Sequence, residues 1–96
     1  MDRKFISGGT VINANHIGKA DVIIENEKIA AIISPNSEIS DSIEGSDIEI
    51  IDASGKYVIP GGVDAHVHLQ LPMTAEATSS DTFASGTAAA AWGGTT

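Results

Sequence analysis

In the first half of the chain the apolar positions come in short runs, each closed by glycine, asparagine or paired polar residues. Residues 4–7 and Thr10–Ile12 flank Gly8-Gly9, a pair suited to a tight turn or a bulge. Residues 20–25 and Lys28–Ile33 are two further apolar runs around Asn26-Glu27. That is hairpin punctuation, although Asn-Glu is a weaker turn signal than Asn-Gly. The stretch SPNSEISDSIEGSD, residues 34–47, has the Ser, Pro, Asn, Asp and Gly of an irregular connection. Residues 48–51 read as another strand closed by 52–55, and residues 57–59 as a short one before Pro60. Brief strands joined by tight turns predict an antiparallel meander.

The pattern changes at Pro60. Val63, Ala65 and Val67 alternate with Asp64, His66 and His68. Side chains of a strand point to opposite faces in turn, so a strand over 63–68 puts two imidazoles and a carboxylate on one face. After a loop over 69–78, Ser79 or Ser80 is a natural N-cap and Asp81 adds negative charge to a first helical turn. Phe83, Thr87, Ala90 and Ala91 recur at helical spacing, and Gly93-Gly94 supply a stop. Gly86 in a helix interior costs about 1 kcal/mol relative to alanine, which close packing at that point would compensate. The order is strand, loop, helix, then Gly-Gly-Thr-Thr leading toward a second strand. Within these residues the strand at 61–68 is expected to lack a parallel neighbour, with open edges and an apolar helix face around Phe83, Ala84, Ala88 and Ala91.

Composition narrows the classes. The chain has 96 residues, enough for one small domain or part of a larger one, and 42% of them are hydrophobic, unlike a disordered chain. Two Phe, one Tyr and one Trp are all its aromatics, so a core built from it alone is thin. The net charge of −8 argues against nucleic-acid or anionic-membrane surfaces, which need clustered Lys and Arg. Acidic residues with no base between them run from Glu38 to Asp52, as in a solvated loop, and no Lys or Arg follows Lys56. There is no cysteine, hence neither disulfide nor thiolate site. The N-terminus lacks the continuous apolar stretch of a secretory signal, which makes a cytoplasmic location the expectation.

Two histidines one residue apart have a plain reading, as unrelated side chains hydrogen-bonded in a core or exposed. They also have a chemical one. Imidazoles at i and i+2 on a strand face can converge on one ion, and neutral imidazole is a good zinc ligand. Grouping two imidazoles and Asp64 on one face of an apolar strand is costly unless they are paired or bind a metal, which favours the chemical reading. His16, in the polar turn Asn15-His16-Ile17-Gly18, is expected at the surface.

Residues 57–68, YVIPGGVDAHVH, resemble the first barrel strand of the amidohydrolase superfamily. The continuation LQLP at 69–72, DTFASGT at 81–87 and GGTT at 93–96 is similar to the dihydropyrimidinase/hydantoinase branch in particular. The 20–33 hairpin and IDASGK at 51–56 look like the N-terminal part of that family's β-sandwich domain. The resemblance spans essentially the whole chain. It implies a β-rich α/β fragment, with residues 1–56 part of a β-sandwich and residues 57–96 the first strand-loop-helix of a metal-dependent (β/α)8 barrel.

Members of this family hydrolyse cyclic amides with a metal pair, usually zinc, at the C-terminal ends of the barrel strands. By resemblance His66 and His68 match first-strand metal ligands, Asp64 supports them from behind, and Leu71 and Met73 fall in the substrate loop. The remaining ligands would come from later strands. The implied reaction opens a dihydropyrimidine or hydantoin ring to an N-carbamoyl amino acid, in a homo-oligomer of the intact chain. The isolated 96-residue chain is expected to be inactive. Gln70 stands where dihydroorotases commonly carry an Arg, and Leu71-Pro72-Met73 where dihydroorotase- and allantoinase-type relatives tend to show Glu-Pro-Gly. The alternatives are such a relative, a non-catalytic dihydropyrimidinase-like scaffold, or an independent small β-rich binding domain with structural histidines.

Overall fold

The computed structural model describes residues 2–44, 47–72, 74, 75 and 77–96. The chain divides into two compact units, Met1–Pro60 and Gly61–Thr96. The first unit holds β1 (Arg3–Ser7), β2 (Thr10–Ile12), β3 (Ile17–Lys19), β4 (Asp21–Glu25), β5 (Lys28–Ile33), α1 (Glu38–Glu44), β6 (Glu49–Asp52) and β7 (Tyr57–Val58). Its strands form two sheets, ordered β5-β4-β1-β6 and β3-β2-β7. The expected antiparallel meander is corrected here. β1 runs antiparallel to β4 but parallel to β6, and β2 antiparallel to β3 but parallel to β7. The connection between β5 and β6 is long enough for the crossover that parallel pairing requires. Tyr57 and Val58, expected to open the second unit, pair with Thr10 and Val11 and so belong to the first.

Three stretches of chain pass from one sheet to the other. β1 continues into β2 through Gly8-Gly9, β3 into β4 through Ala20, and β6 into β7 through residues 53–56. Strands that switch sheets at a bend make the corners through which two sheets share a core. The bends are joined by backbone hydrogen bonds, from the Ala53 N–H to the Ser7 carbonyl at 2.8 Å and from the Thr10 N–H to the Lys56 carbonyl at 3.0 Å. Gly8 has φ 78°, in the left-handed region that glycine enters without steric penalty. A Cβ on Gly9 would lie 2.6 Å from Val58 Cγ2 and 3.2 Å from Ala53 Cβ. Phe5, Val11, Val22 and Ala53 are the buried apolar side chains of this unit.

A carboxylate is buried among them. Asp21 is 3% exposed; its Oδ1 accepts the Gly8 N–H at 2.9 Å and its Oδ2 accepts the Ser40 hydroxyl at 2.8 Å. Ser40 lies on α1, a helix inside the segment expected to be irregular. Ser37 explains the helix: its Oγ accepts the Ser40 amide at 3.1 Å and its carbonyl accepts the Asp41 amide at 3.0 Å. The Ser and Asp residues that spell a loop by composition serve here as a cap and as acidic residues of the first turn. The hairpin at Asn26-Glu27 forms as expected, with Asn26 at φ 56°. β6 ends in an Asx turn, the Ser54 N–H donating to Asp52 Oδ1 at 2.9 Å. Hydrogen bonds from the Ser54 side chain and then its amide hold the Asp52 carboxyl below the usual carboxylate range, with a smaller contribution from Lys56.

The second unit contains α2 (Phe83–Trp92). Its N-cap is Thr82, not Ser79 or Ser80, so Asp81 lies outside the first turn. Thr82 Oγ1 accepts the Ser85 amide at 3.0 Å and Ser85 Oγ accepts the Thr82 amide at 2.9 Å, a reciprocal capping box. At the other end the Gly94 N–H donates to the Ala91 carbonyl and the Thr95 N–H to the Ala90 carbonyl, with Gly94 at φ 86°. That is a Schellman stop. A Cβ on Gly86 would run into Leu69 Cδ2, so the glycine inside the helix admits Leu69. Gly86 and Ala90 are half-buried, but no residue of α2 is fully buried, and Phe83 and Trp92 are exposed. No helix of the described residues is long and apolar enough to cross a membrane.

The strand expected over 63–68 is not formed. Within residues 61–68 only Gly62 is bridged, and its partner is Thr95, in parallel. The Gly62 N–H donates to the Gly94 carbonyl at 2.7 Å, and the Thr96 N–H donates back to the Gly62 carbonyl at 2.9 Å. A parallel neighbour therefore exists, contrary to expectation, but it begins at the last residues and pairs at one position. Beyond it the Asp64 carboxylate accepts the His66 amide at 3.1 Å, a local bond that competes with a ladder.

Three outcomes follow. Asp21→Ala removes the partner of the Gly8 amide and leaves the Ser40 hydroxyl, as a donor, only its longer 3.4 Å bond to the Ser34 carbonyl, with a buried group left unpaired costing about 1–3 kcal/mol; urea unfolding should show a lowered midpoint, and a cycle with Ser40→Ala should show non-additivity. Gly86→Ala should destabilise through Leu69 despite its better helix propensity, and Leu69→Ala should remove that penalty. Asp52, with its pKa lowered, contributes stability above the ordinary aspartate range and loses it as pH falls through the lowered value. An NMR titration should place Asp52 below ordinary aspartates and move it upward in Ser54→Ala.

Candidate functional site

His66 and His68 come together without a ladder to align them. Their Nε2 atoms are 3.1 Å apart, the ring centroids 5.0 Å apart and the ring planes inclined by 41°. With one Nε2 protonated and the other bare, this contact is a hydrogen bond. With both bare, the pair offers two nitrogen donors side by side. Two nitrogens held at about 2.0–2.1 Å by one tetrahedral ion stand about 3.3 Å apart, so the observed approach has the dimensions of two donors to one ion. Both residues are exposed, and residues 61–96 contain no Lys or Arg to repel a cation.

The elements around the pair hold it from both sides. Upstream, Gly62 is tied to Gly94 and Thr96, and Asp64 turns the backbone by accepting the His66 amide. The Asp64 carboxylate thus serves the backbone of the pair. Among the described residues no group of three or more His, Asp or Glu side chains converges as a metal site. Downstream, Leu69 seats against Gly86, while the Gln70 N–H donates to the Asp81 carbonyl at 2.8 Å. Gln70 Oε1 accepts the Phe83 amide, one of the free N–H groups at the start of α2, at 3.0 Å.

Leu71 is pinned through its backbone. Its N–H donates to Ser79 Oγ at 2.8 Å and its carbonyl accepts the Ser79 N–H at 2.8 Å, while its side chain stays 38% exposed. Met73, the other expected substrate-loop residue, lies outside the described residues. His16 is exposed on the first unit, as the turn around it suggests. That unit also carries a cleft of about 780 Å³ lined by Asp2, Arg3, Ile43 and Glu49 among others, with no histidine. Gln70 and Ser79 escape a reading based on alternation and periodicity. The one advance signal for Gln70 is that a side-chain acceptor shortly before a helix can satisfy its first N–H groups, whereas Ser79, expected as an N-cap, takes the Leu71 amide instead.

No protein-family model matches the chain. Individual proteins do. It is 47% identical over 94 residues to a D-hydantoinase of Streptomyces coelicolor, an alignment covering 98% of this chain and 20% of that protein. Against a dihydropyrimidinase of Arabidopsis thaliana it is 46% identical, with 98% of this chain and 16% of the relative covered. The crystal structure of dihydropyrimidinase from Brevibacillus agri superposes with a TM-score of 0.81 at 45% identity, over 98% of this chain and 19% of that one. The chain thus spans about a fifth or less of the length of the relatives it matches. Their shared part includes both the two-sheet unit and the segment bearing the paired imidazoles. In sequence and in fold the chain belongs with the D-hydantoinases and dihydropyrimidinases, as an N-terminal fragment of that family.

Proposed function

We propose that the chain is the part of a cyclic-amide hydrolase that supplies the first two ligands of its metal centre, in an enzyme opening dihydropyrimidine or hydantoin rings to N-carbamoyl amino acids. The observation that carries this reading is the 3.1 Å approach of the His66 and His68 Nε2 atoms on a segment shared with hydantoinases. His66 and His68 would hold zinc, one of a pair in the intact family fold. Bound zinc polarises a ring carbonyl and furnishes hydroxide at neutral pH. The chain's own residues do the positioning: Asp64 holds the backbone at His66, and the Leu71 backbone, anchored to Ser79, opens the loop that with Met73 would face the ring.

A catalytic zinc site normally has three protein ligands and a water. Two imidazoles leave an ion mostly hydrated and a hydroxide unaimed, so the 96-residue chain alone should bind zinc weakly and catalyse nothing. The exposed Phe83 and Trp92 of α2 and the single Gly62–Thr95 bridge agree with a barrel whose other strands and helices lie elsewhere in a longer protein. That protein would be a cytoplasmic homo-oligomer acting on a small cyclic amide.

Titration of the purified chain with Zn²⁺ should give weak binding that is lost in His66→Ala and in His68→Ala. Incubation of the zinc-treated chain with dihydrouracil or hydantoin should give no ring opening. Turnover that disappears in His66→Ala would mean that the fragment is a complete enzyme, and zinc binding indifferent to both substitutions would remove the metal reading.

A further inference from the structure

The segment carrying the two histidines has only one bridged residue upstream and no ladder of its own. What aims His68 must come from its other side. There the chain does something unusual: Gln70, two residues on, sits at φ 52°. A non-glycine residue in the left-handed region is uncommon and carries a steric penalty, which persists only where surrounding contacts impose it. The contacts are present. The Gln70 N–H donates to the Asp81 carbonyl at 2.8 Å, and its Oε1 accepts the Phe83 amide at 3.0 Å.

The neighbouring residues act in the same direction. Leu69 occupies the notch left by Gly86, and Leu71 is held by the exchange of hydrogen bonds with Ser79. Three consecutive residues after His68 are therefore clamped to α2 and its lead-in, with Gln70 making the turn. Its side chain is the piece without a backbone substitute: a shorter or apolar residue leaves the Phe83 amide open and the left-handed turn unsupported.

We infer that Gln70 is a positioning residue for the imidazole pair: by bonding the first amide of α2 from a left-handed backbone, it sets the direction from which His68 meets His66. The inference rests on the metal reading only for its zinc-binding consequence, since the convergence of the rings is a property of the metal-free chain. Gln70 touches neither ring. It acts through the backbone at 68–70.

The experiment uses the 96-residue chain. In metal-free protein, the nuclear Overhauser effect between the two imidazole rings reports their approach, and circular dichroism reports α2. Gln70→Ala should weaken the inter-ring effect at least several-fold and lower zinc affinity about tenfold, the scale typical of lost outer-shell support. Gln70→Glu keeps an acceptor at the helix start, where negative charge is welcome, and should restore the inter-ring effect. Should Gln70→Ala lose its helix altogether, Gln70→Asn is the deciding variant. Asparagine tolerates the left-handed backbone but does not reach Phe83, so its rings should separate while α2 persists. An inter-ring effect undiminished in Gln70→Ala, or in Gln70→Asn where that variant decides, would overturn the inference and leave Gln70 a helix cap only. If zinc affinity is unaffected by His66→Ala, the metal reading fails, and the ring measurement still decides the role of Gln70.

Discussion

The two-sheet unit depends on a buried carboxylate that joins backbone to backbone. Asp21 stands where β3 bends into β4 and receives the amide of Gly8, where β1 bends into β2. Its second oxygen receives the hydroxyl of Ser40 from α1. Burying a charge is unfavourable unless its hydrogen bonds are made, and both oxygens are used here. Because the bend is satisfied by a side chain, the sheets can exchange strands at the corner without leaving an amide unpaired, and small residues such as Gly9 and Ala53 can approach there. The thin apolar core of Phe5, Val11, Val22 and Ala53 is arranged around that corner.

The second unit solves a different problem. A segment bearing two imidazoles must be aimed although only one of its residues is bridged. The structure does this from its two ends. The Schellman stop of α2 presents the Gly94 carbonyl and the Thr96 amide to Gly62, while the start of α2 takes the side chain of Gln70. The same helix therefore anchors both sides of the histidine segment. That economy explains why a helix with no fully buried residue is nonetheless capped at both termini. Its caps carry the organisation that core packing carries elsewhere.

Much of this was legible in the sequence, and the failures share a cause. The apolar runs located six of the seven strands of the first unit to within a residue or two, because alternation and turn residues act locally; β3 was missed, since Ile17-Gly18 read as part of a polar turn. Gly86 announced a close contact, and Leu69 supplies it. The pairing directions were not legible, because β6 and β7 return from far along the chain and nothing local distinguishes parallel from antiparallel partners. Helix α1 was hidden because Ser37 and Ser40, which satisfy a cap and a buried carboxylate, are the same residue types that populate loops. The alternation at 63–68 predicted a strand, but alternation fixes the side to which residues point and does not supply a partner. The rings met, while the ladder was replaced by the bond from the His66 amide to Asp64. His66 and His68 stood out through residue type and spacing; Gln70, a residue of no marked type, acquires its role only from the helix it faces.

The central claim is that His66 and His68 converge as two donors to one ion. X-ray absorption on the zinc-loaded chain tests it most directly, because an imidazole ligand, unlike water, adds scattering from its ring atoms beyond the first coordination shell. The account predicts two imidazole nitrogens per zinc at about 2.0–2.1 Å, completed by oxygen, with both imidazoles lost in the His66→Ala, His68→Ala double variant. A shell of oxygen alone, or of one imidazole per zinc, would contradict it.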